Sequence, residues 1–210
     1  MNSFRLRLLL IVLLSGTGLT LITVSKFVSR RGGSASVRDP EYLQSPVDSQ
    51  ADRMTGFTLT DRSGEKIHWA DLDGQVRIVG FFFSSCPANC LQQNLTIRDL
   101  QRSYADKNVV FLSITCDPEI DSPERLREYA TKLEAPPQKW LFLTGGLPYI
   151  RRVANELFGV ALDKRTHSES LIVADAHGQI KSTFEWNRLD KLAELRLLVD
   201  DLSRNSTNSD

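Results

Sequence analysis

The stretch Val76-Arg-Ile-Val-Gly-Phe-Phe-Phe83-Ser-Ser-Cys86-Pro-Ala-Asn-Cys90 decides how the rest of the chain is read. Val76–Phe83 is a nearly continuous apolar run of β-branched and aromatic residues, the pattern of a central strand buried on both faces. A helical pattern follows from Pro87 to Tyr104, with Leu91, Leu95 and the Leu100/Tyr104 pair near one face. Two cysteines therefore stand where a buried strand gives way to a helix.

Working outward, Phe57–Thr60 and Lys66–Trp69 alternate around Asp61-Arg-Ser-Gly64, a hairpin signal. Val109–Thr115 is a second buried strand. Ser122 is placed to cap a helix that has Pro123 at its first position and an apolar stripe of Leu126, Tyr129 and Leu133. Trp140–Leu143 is short and apolar, Leu147–Phe158 is helical, and Gly159 is placed to end that helix. Ser170–Ala174 and Ile180–Trp186 form a hairpin across Asp175-Ala-His-Gly178, and a last helix runs from Asn187 or Leu189 to Leu202. Strands alternating with helices imply parallel pairing through right-handed crossovers, and the late hairpin adds antiparallel strands. The expected fold is α/β: a thioredoxin-like three-layer α/β/α arrangement with an N-terminal β-hairpin and a helix–strand insertion.

The chain has 210 residues, 41% of them hydrophobic and 25% charged, which suits one globular domain with attachments and excludes a disordered or collagen-like chain. Its 26 basic and 26 acidic residues cancel unevenly. Residues 1–38 carry Arg5, Arg7, Lys26, Arg30, Arg31 and Arg38 and no acid, so the remainder holds 20 basic against 26 acidic groups, a net charge of −6. An acidic body of this kind is a poor partner for nucleic acid.

After a short segment at 1–7, Leu8 to Val24 is apolar apart from Ser, Thr and Gly, and Lys26, Arg30 and Arg31 close it. Extended to residue 28, with Lys26 snorkelling, it is long enough for a single membrane span. The same polarity also fits a cleaved signal sequence. Residues 29–54, with Gly32, Gly33, Pro40 and Pro46, read as a flexible tether, residues 55–203 as the domain, and 204–210 as a disordered polar tail. The body is expected on the extracytoplasmic side of a membrane, with the intermembrane space of mitochondria as the alternative.

Cys86 and Cys90 stand four positions apart, with three residues between them, at a helix start, where unpaired N–H groups favour thiolate. Residues four apart on a helix hold their Cβ atoms about 5–6 Å apart. A disulfide wants about 3.5–4.5 Å, so the pair pinches a metal ion with less distortion than it closes a bridge. Soft sulfur pairs select copper(I), zinc or iron–sulfur, and three cysteines in all exclude a four-thiolate cluster in one chain. A two-thiolate site usually needs a third donor, and His167, just before the late hairpin, is the candidate; on spacing alone it reads rather as an ordinary surface or capping histidine. His68 and His177 read as structural and turn residues.

Three segments together resemble the Sco family of membrane-tethered, thioredoxin-fold copper chaperones for cytochrome c oxidase assembly. They are the strand followed by Cys86-Pro-x-x-x-Cys90, the strand closing in Asp117-Pro-Glu-Ile-Asp121-Ser-Pro, and His167 before a strand ending in Asp175-x-x-Gly178. The resemblance covers about residues 55–203. It implies copper, as Cu(I) and/or Cu(II), held by Cys86, Cys90 and His167. It also implies delivery of that copper to, or reduction of the thiols of, the binuclear copper site of oxidase subunit II or another copper-receiving protein. Asp117 and Asp121 would belong to an acidic loop near the site, though capping and loop hydrogen bonding account for them equally.

The chain departs from the family pattern at Leu91, usually Pro, at Thr166, often an acid, and at Cys116, usually apolar. Cys116 reads as a third sulfur ligand, a resolving thiol or a small buried hydrophobe. Two other roles compete with chaperoning. One is a thiol–disulfide oxidoreductase in which Cys86 attacks a partner disulfide and Cys90 resolves it; whether the chain is an enzyme stays open on this point. The other is a copper or redox sensor.

Overall fold

Side chains of successive strand residues point to opposite faces, and the central strands of this chain are apolar at every such position but a few. The computed structural model describes residues 54–86, 89–165 and 169–206. The expected span at 8–28, the tether as far as residue 53, Pro87, Ala88, the 166–168 segment with His167, and the end of the tail lie outside the described residues.

In chain order the elements are β1 (Thr58–Asp61), β2 (Lys66–His68), a 3-10 turn at Trp69–Leu72, β3 (Val76–Phe82) and α1 (Asn89–Ser103). Then come β4 (Val109–Thr115), α2 (Pro123–Lys132), β5 (Trp140–Thr144) and α3 (Leu147–Arg152), which continues as a π turn over Val153–Leu157. β6 (Ser170–Ala174), β7 (Ile180–Glu185) and α4 (Leu189–Ser206) complete the chain. The strands form one sheet in the order β2-β1-β5-β4-β3-β6-β7. β3, β4 and β5 are parallel, and β6 runs antiparallel to β3 with Gly80 opposite Leu171. This is the mixed α/β layout expected from the pattern.

The period of two sorts the core into two layers. Ile78 and Phe82 of β3, Phe111 of β4 and Phe142 of β5 face Ile97 and Leu100 of α1, Leu126 and Ala130 of α2, and Leu195 and Val199 of α4. Val79, Phe81, Leu112 and Leu143 face the other way, onto Trp69, Ile150, Val153 and Phe158. Ser122 caps α2, its Oγ accepting the Arg125 N–H at 3.3 Å, and Pro123 stands at the first turn as expected. Gly159, at φ +67°, ends the α3 segment.

Two details differ from the sequence expectation. Leu91 of α1 is exposed, and the buried positions are Cys90, Gln93, Asn94, Ile97, Leu100 and Gln101. Polar residues can hold that face because they find partners inside: Asn94 Oδ1 accepts from Ser113 Oγ at 3.0 Å, and its Nδ2 donates to Tyr129 Oη at 3.3 Å. α4 also continues to Ser206, beyond the expected end at Leu202.

Candidate metal centre

Parallel β3 and β4 end at the same edge of the sheet, with Phe82 opposite Thr115. β4 leads directly into Cys116, and β3 reaches Cys86 four residues on. After β3 the chain turns at Phe83–Cys86, the Cys86 N–H reaching Phe83 O at 3.2 Å, and α1 begins three residues on. The Cys86 sulfur accepts the Cys90 backbone N–H at 3.3 Å. It thereby satisfies one of the orphan donors of a helix start and brings the two residues together. Cys86 is 9% exposed and Cys90 1%, so Cys86 is the nearer to solvent. Burial pushes the Cys90 thiol up to about 12, with the neighbouring Cys86 and Cys116 sulfurs adding to the rise and a backbone bond from Phe83 opposing it.

Cys116 extends the β4 ladder, its N–H bonding Phe82 O at 2.8 Å, and its side chain is fully buried in the core layer that contains Phe82, Cys86 and Cys90. Burial pushes its thiol up to about 11, with the carboxylates of Asp117 and Asp121 acting in the same direction and the Arg165 backbone N–H opposing. All three cysteines are thiols. Among the described residues no three His, Cys, Asp or Glu side chains gather into a metal-binding group. Two sulfurs at one junction still offer a soft, closely spaced pair that needs one further donor.

Asp121 is wholly buried and joins the two cysteine-bearing segments. It accepts the Ser84 N–H at 3.1 Å and the hydroxyls of Ser84 and Thr115. Asp117 is also wholly buried. Its N–H bonds Thr115 Oγ1 at 3.0 Å, and its carboxylate accepts Arg165 Nε at 2.7 Å.

His167 lies outside the described residues, but both flanks of its segment are placed. Arg165 is held at Cys116 and Asp117. On the other side, Glu169 O accepts the Trp186 N–H at 3.1 Å and leads into β6, whose start lies at the C-terminal end of β3 because the two strands are antiparallel. The two described histidines are held in hairpins. His68 pairs with Thr58 Oγ1 at 2.8 Å in the first hairpin, and the His177 N–H bonds Asp175 in the last turn.

Sequence reading missed Ser84, Thr115, Lys164, Arg165 and Tyr129. Burial raises Tyr129 to about 12, and among its lesser causes are the charges of Cys90, Cys86 and Asp121, which places its phenol beside the junction. The only sequence signal for the cations was charge complementarity: Lys164-Arg165 beside His167 against Asp117, Glu119 and Asp121 beside Cys116.

The SCO1/SenC family model matches residues 46–195. The SCO1 protein homolog of Bacillus subtilis is 29% identical over 131 residues, covering 61% of this chain and 62% of that protein. The chain therefore matches less than two thirds of this curated relative's length. Among solved structures, BsSco, described as a member of the Sco family of cytochrome c oxidase assembly proteins with a disulfide switch, superposes with a TM-score of 0.65 at 22% identity. The match covers 72% of this chain and 93% of that one. Yeast Sco1 with copper bound gives a TM-score of 0.57 at 25% identity, over 68% of this chain and 84% of that one.

Proposed function

The chain belongs to the SCO1/SenC family, and from that premise we propose that it carries copper on Cys86, Cys90 and His167 and hands it to a copper-receiving protein. The receiver we propose is the binuclear copper site of cytochrome c oxidase subunit II. The observation that carries this reading is the Cys90 N–H to Cys86 sulfur contact of 3.3 Å at the sheet edge, where Arg165 is held by Asp117 and Glu169 leads into β6. Copper is cargo here. It leaves by ligand exchange, the receiver's thiolates replacing Cys86, Cys90 and His167 in turn without a change in the metal's charge.

Two exposed apolar side chains next in sequence to site residues support the same reading. Leu91, next to Cys90, and Ile120, next to Asp121, are each 45% exposed and rank among the few large apolar side chains left in water. On this reading residues 8–28 anchor the chain in a membrane, 29–54 tether it, and 55–203 work on the extracytoplasmic side, away from the reducing cytosol.

The test is anaerobic titration of the full-length chain, in detergent, with copper(I) against a coloured chelator. One equivalent binds, and Cys86→Ser, Cys90→Ser and His167→Ala each weaken it by at least about a hundredfold. Wild-type affinity in all three variants overturns the reading.

The disulfide switch described for BsSco, together with the unequal exposure of Cys86 and Cys90, supports a second role. Cys86 thiolate attacks a partner disulfide, and Cys90 then displaces the partner's second sulfur. The partner gains two electrons and the chain is left with a Cys86–Cys90 disulfide. His167→Ala leaves that exchange unchanged, which separates the two roles.

A further inference from the structure

We propose that the Tyr129 hydroxyl is the hydrogen-bond donor to the Cys90 sulfur when that sulfur attacks as thiolate, aimed there by a buried chain from Trp140 through Ser113 and Asn94. The inference rests on the reading of Cys86 and Cys90 as a pair that exchanges disulfides.

An indole N–H can only donate, and this fixes the sense of every bond beyond it. Trp140 Nε1 donates to Ser113 Oγ at 3.0 Å. The Ser113 hydroxyl, accepting there, donates in turn to Asn94 Oδ1, also at 3.0 Å. With its oxygen so engaged, the Asn94 amide presents its nitrogen to Tyr129, and Nδ2 donates to Tyr129 Oη at 3.3 Å. An amide can stand either way round; the serine sets this one. The phenol oxygen is therefore an acceptor on its Asn94 side, and its own proton points elsewhere. The described contacts give that proton no protein acceptor.

The site of the phenol gives a second line of argument. Asn94 stands four positions after Cys90 on α1, one turn along the same buried face, and such pairs hold their Cβ atoms about 5–6 Å apart. A group bonded to the Asn94 amide is thus a near neighbour of Cys90. Tyr129 packs against the core layer that contains Cys86 and Cys90. Its ring centroid lies 5.4 Å from that of Phe82, the residue before Phe83, whose backbone N–H faces the Cys90 sulfur. Burial chiefly keeps the phenol protonated, and the charges of Cys90, Cys86 and Asp121 reach it and act the same way against the Asn94 bond.

The donor acts in the second step of the exchange. Once Cys86 is joined to the partner's sulfur, Cys90 gives its proton to solvent and its thiolate attacks the Cys86 sulfur. The Cys86–Cys90 bond forms, the bond to the partner's sulfur breaks, and that sulfur leaves with the electron pair. Tyr129 keeps its proton throughout. An apolar layer opposes the charge on a buried thiolate. The Phe83 N–H offsets part of that cost, and the phenol O–H adds a second donor. A stabilised thiolate is also a weaker nucleophile, so only part of the gain appears in the rate.

The experiment mixes the reduced full-length chain, in detergent, with one equivalent of dithiobis-nitrobenzoate, an aromatic disulfide whose released thiolate is coloured. A first phase reports attack by Cys86 and a second reports displacement by Cys90; Cys90→Ser, which keeps only the first, assigns them. Tyr129→Phe slows the second phase by about fivefold and leaves the first within about twofold. Its ring keeps the contacts with Phe82 and Phe142, so the variant folds. Ser113→Ala frees the Asn94 amide to turn over and accept the Tyr129 proton, and it slows the second phase as well. A parent-like second phase in Tyr129→Phe, or equal slowing of both phases, overturns the donor and leaves the pair intact. A parent-like second phase in Ser113→Ala overturns the aiming chain. A parent chain with no second phase overturns the pair and the donor together.

Discussion

Asp121 accepts the Ser84 backbone N–H at 3.1 Å across 37 residues of sequence, and with it the Ser84 hydroxyl. Ser84 stands two residues before Cys86, and Asp121 also takes the hydroxyl of Thr115, directly before Cys116. One carboxylate therefore ties together the two segments that deliver the cysteines to the sheet edge.

Asp121→Ala leaves these buried donors without an acceptor. Urea unfolding of the apo chain is expected to show a loss of about 3 kcal/mol. Copper(I) affinity falls alongside, because both loops lose their shared anchor. Asp121→Asn, which keeps an oxygen acceptor, costs less than the alanine variant in both measurements. Equal losses for Ala and Asn would point instead to direct ligation by the carboxylate.

Exposure and desolvation rank the thiols by reactivity. Cys86 is the nearest to solvent, whereas Cys90 and Cys116 are buried and pushed up to about 12 and about 11. Alkylation attacks thiolate. Iodoacetamide at pH 8, followed by peptide mass spectrometry, is expected to modify Cys86 first and the other two only on unfolding. Copper(I) protects Cys86.

Much of this architecture is legible in the sequence because β3 and β4 are buried on both faces and so read as unbroken apolar runs. The cysteine pair is legible for the same reason, since its place at a strand end follows from the strand. α1 is less so. Its apolar Leu91 faces water, while Gln93, Asn94 and Gln101 turn inward, and nothing local announces that Ser113 and Tyr129 will meet Asn94 there. The links from Asp121 to Ser84 and from Arg165 to Asp117 join residues 37 and 48 positions apart, and only the closed sheet brings them together. Arg77 is a further case. A charge inside an apolar run gives no sign that it will be wholly buried, stacked 4.2 Å from the Trp69 ring and paired with Asp73 at 2.6 Å.

That arginine sets up a control at the far end of β3. Gly178 has φ +77°, and a Cβ there would lie 2.3 Å from Arg77 Nη1 and 2.6 Å from Trp69 Nε1. Gly178→Ala is therefore both strained and clashing, and is expected to destabilise the apo chain by about 3 kcal/mol in urea. Copper(I) affinity of the fraction that remains folded is unchanged, since the sulfurs lie at the opposite end of the strand. A loss of affinity would mean that the two ends of β3 are coupled.

The raised thiols fix the sign of the pH dependence. Cys90 and Cys116 ionise at about 12 and about 11 in the folded chain, against an ordinary value of 9.0. Between those values the unfolded chain has given up protons that the folded chain retains. The stability these groups contribute is thus fully present below about pH 8.5 and is lost as pH climbs through the folded values. Urea midpoints of the apo chain are expected to fall between pH 8 and 10, and Cys116→Val falls less over the same range. Copper(I) binding runs the opposite way. With copper on the proposed site, Cys90 binds as thiolate and its proton is released, so apparent affinity is expected to rise roughly tenfold per pH unit for each proton displaced. A titration repeated at pH 6, 7 and 8 checks this: a pH-independent affinity would mean that the Cys90 thiol is not displaced, and would remove it from the copper site.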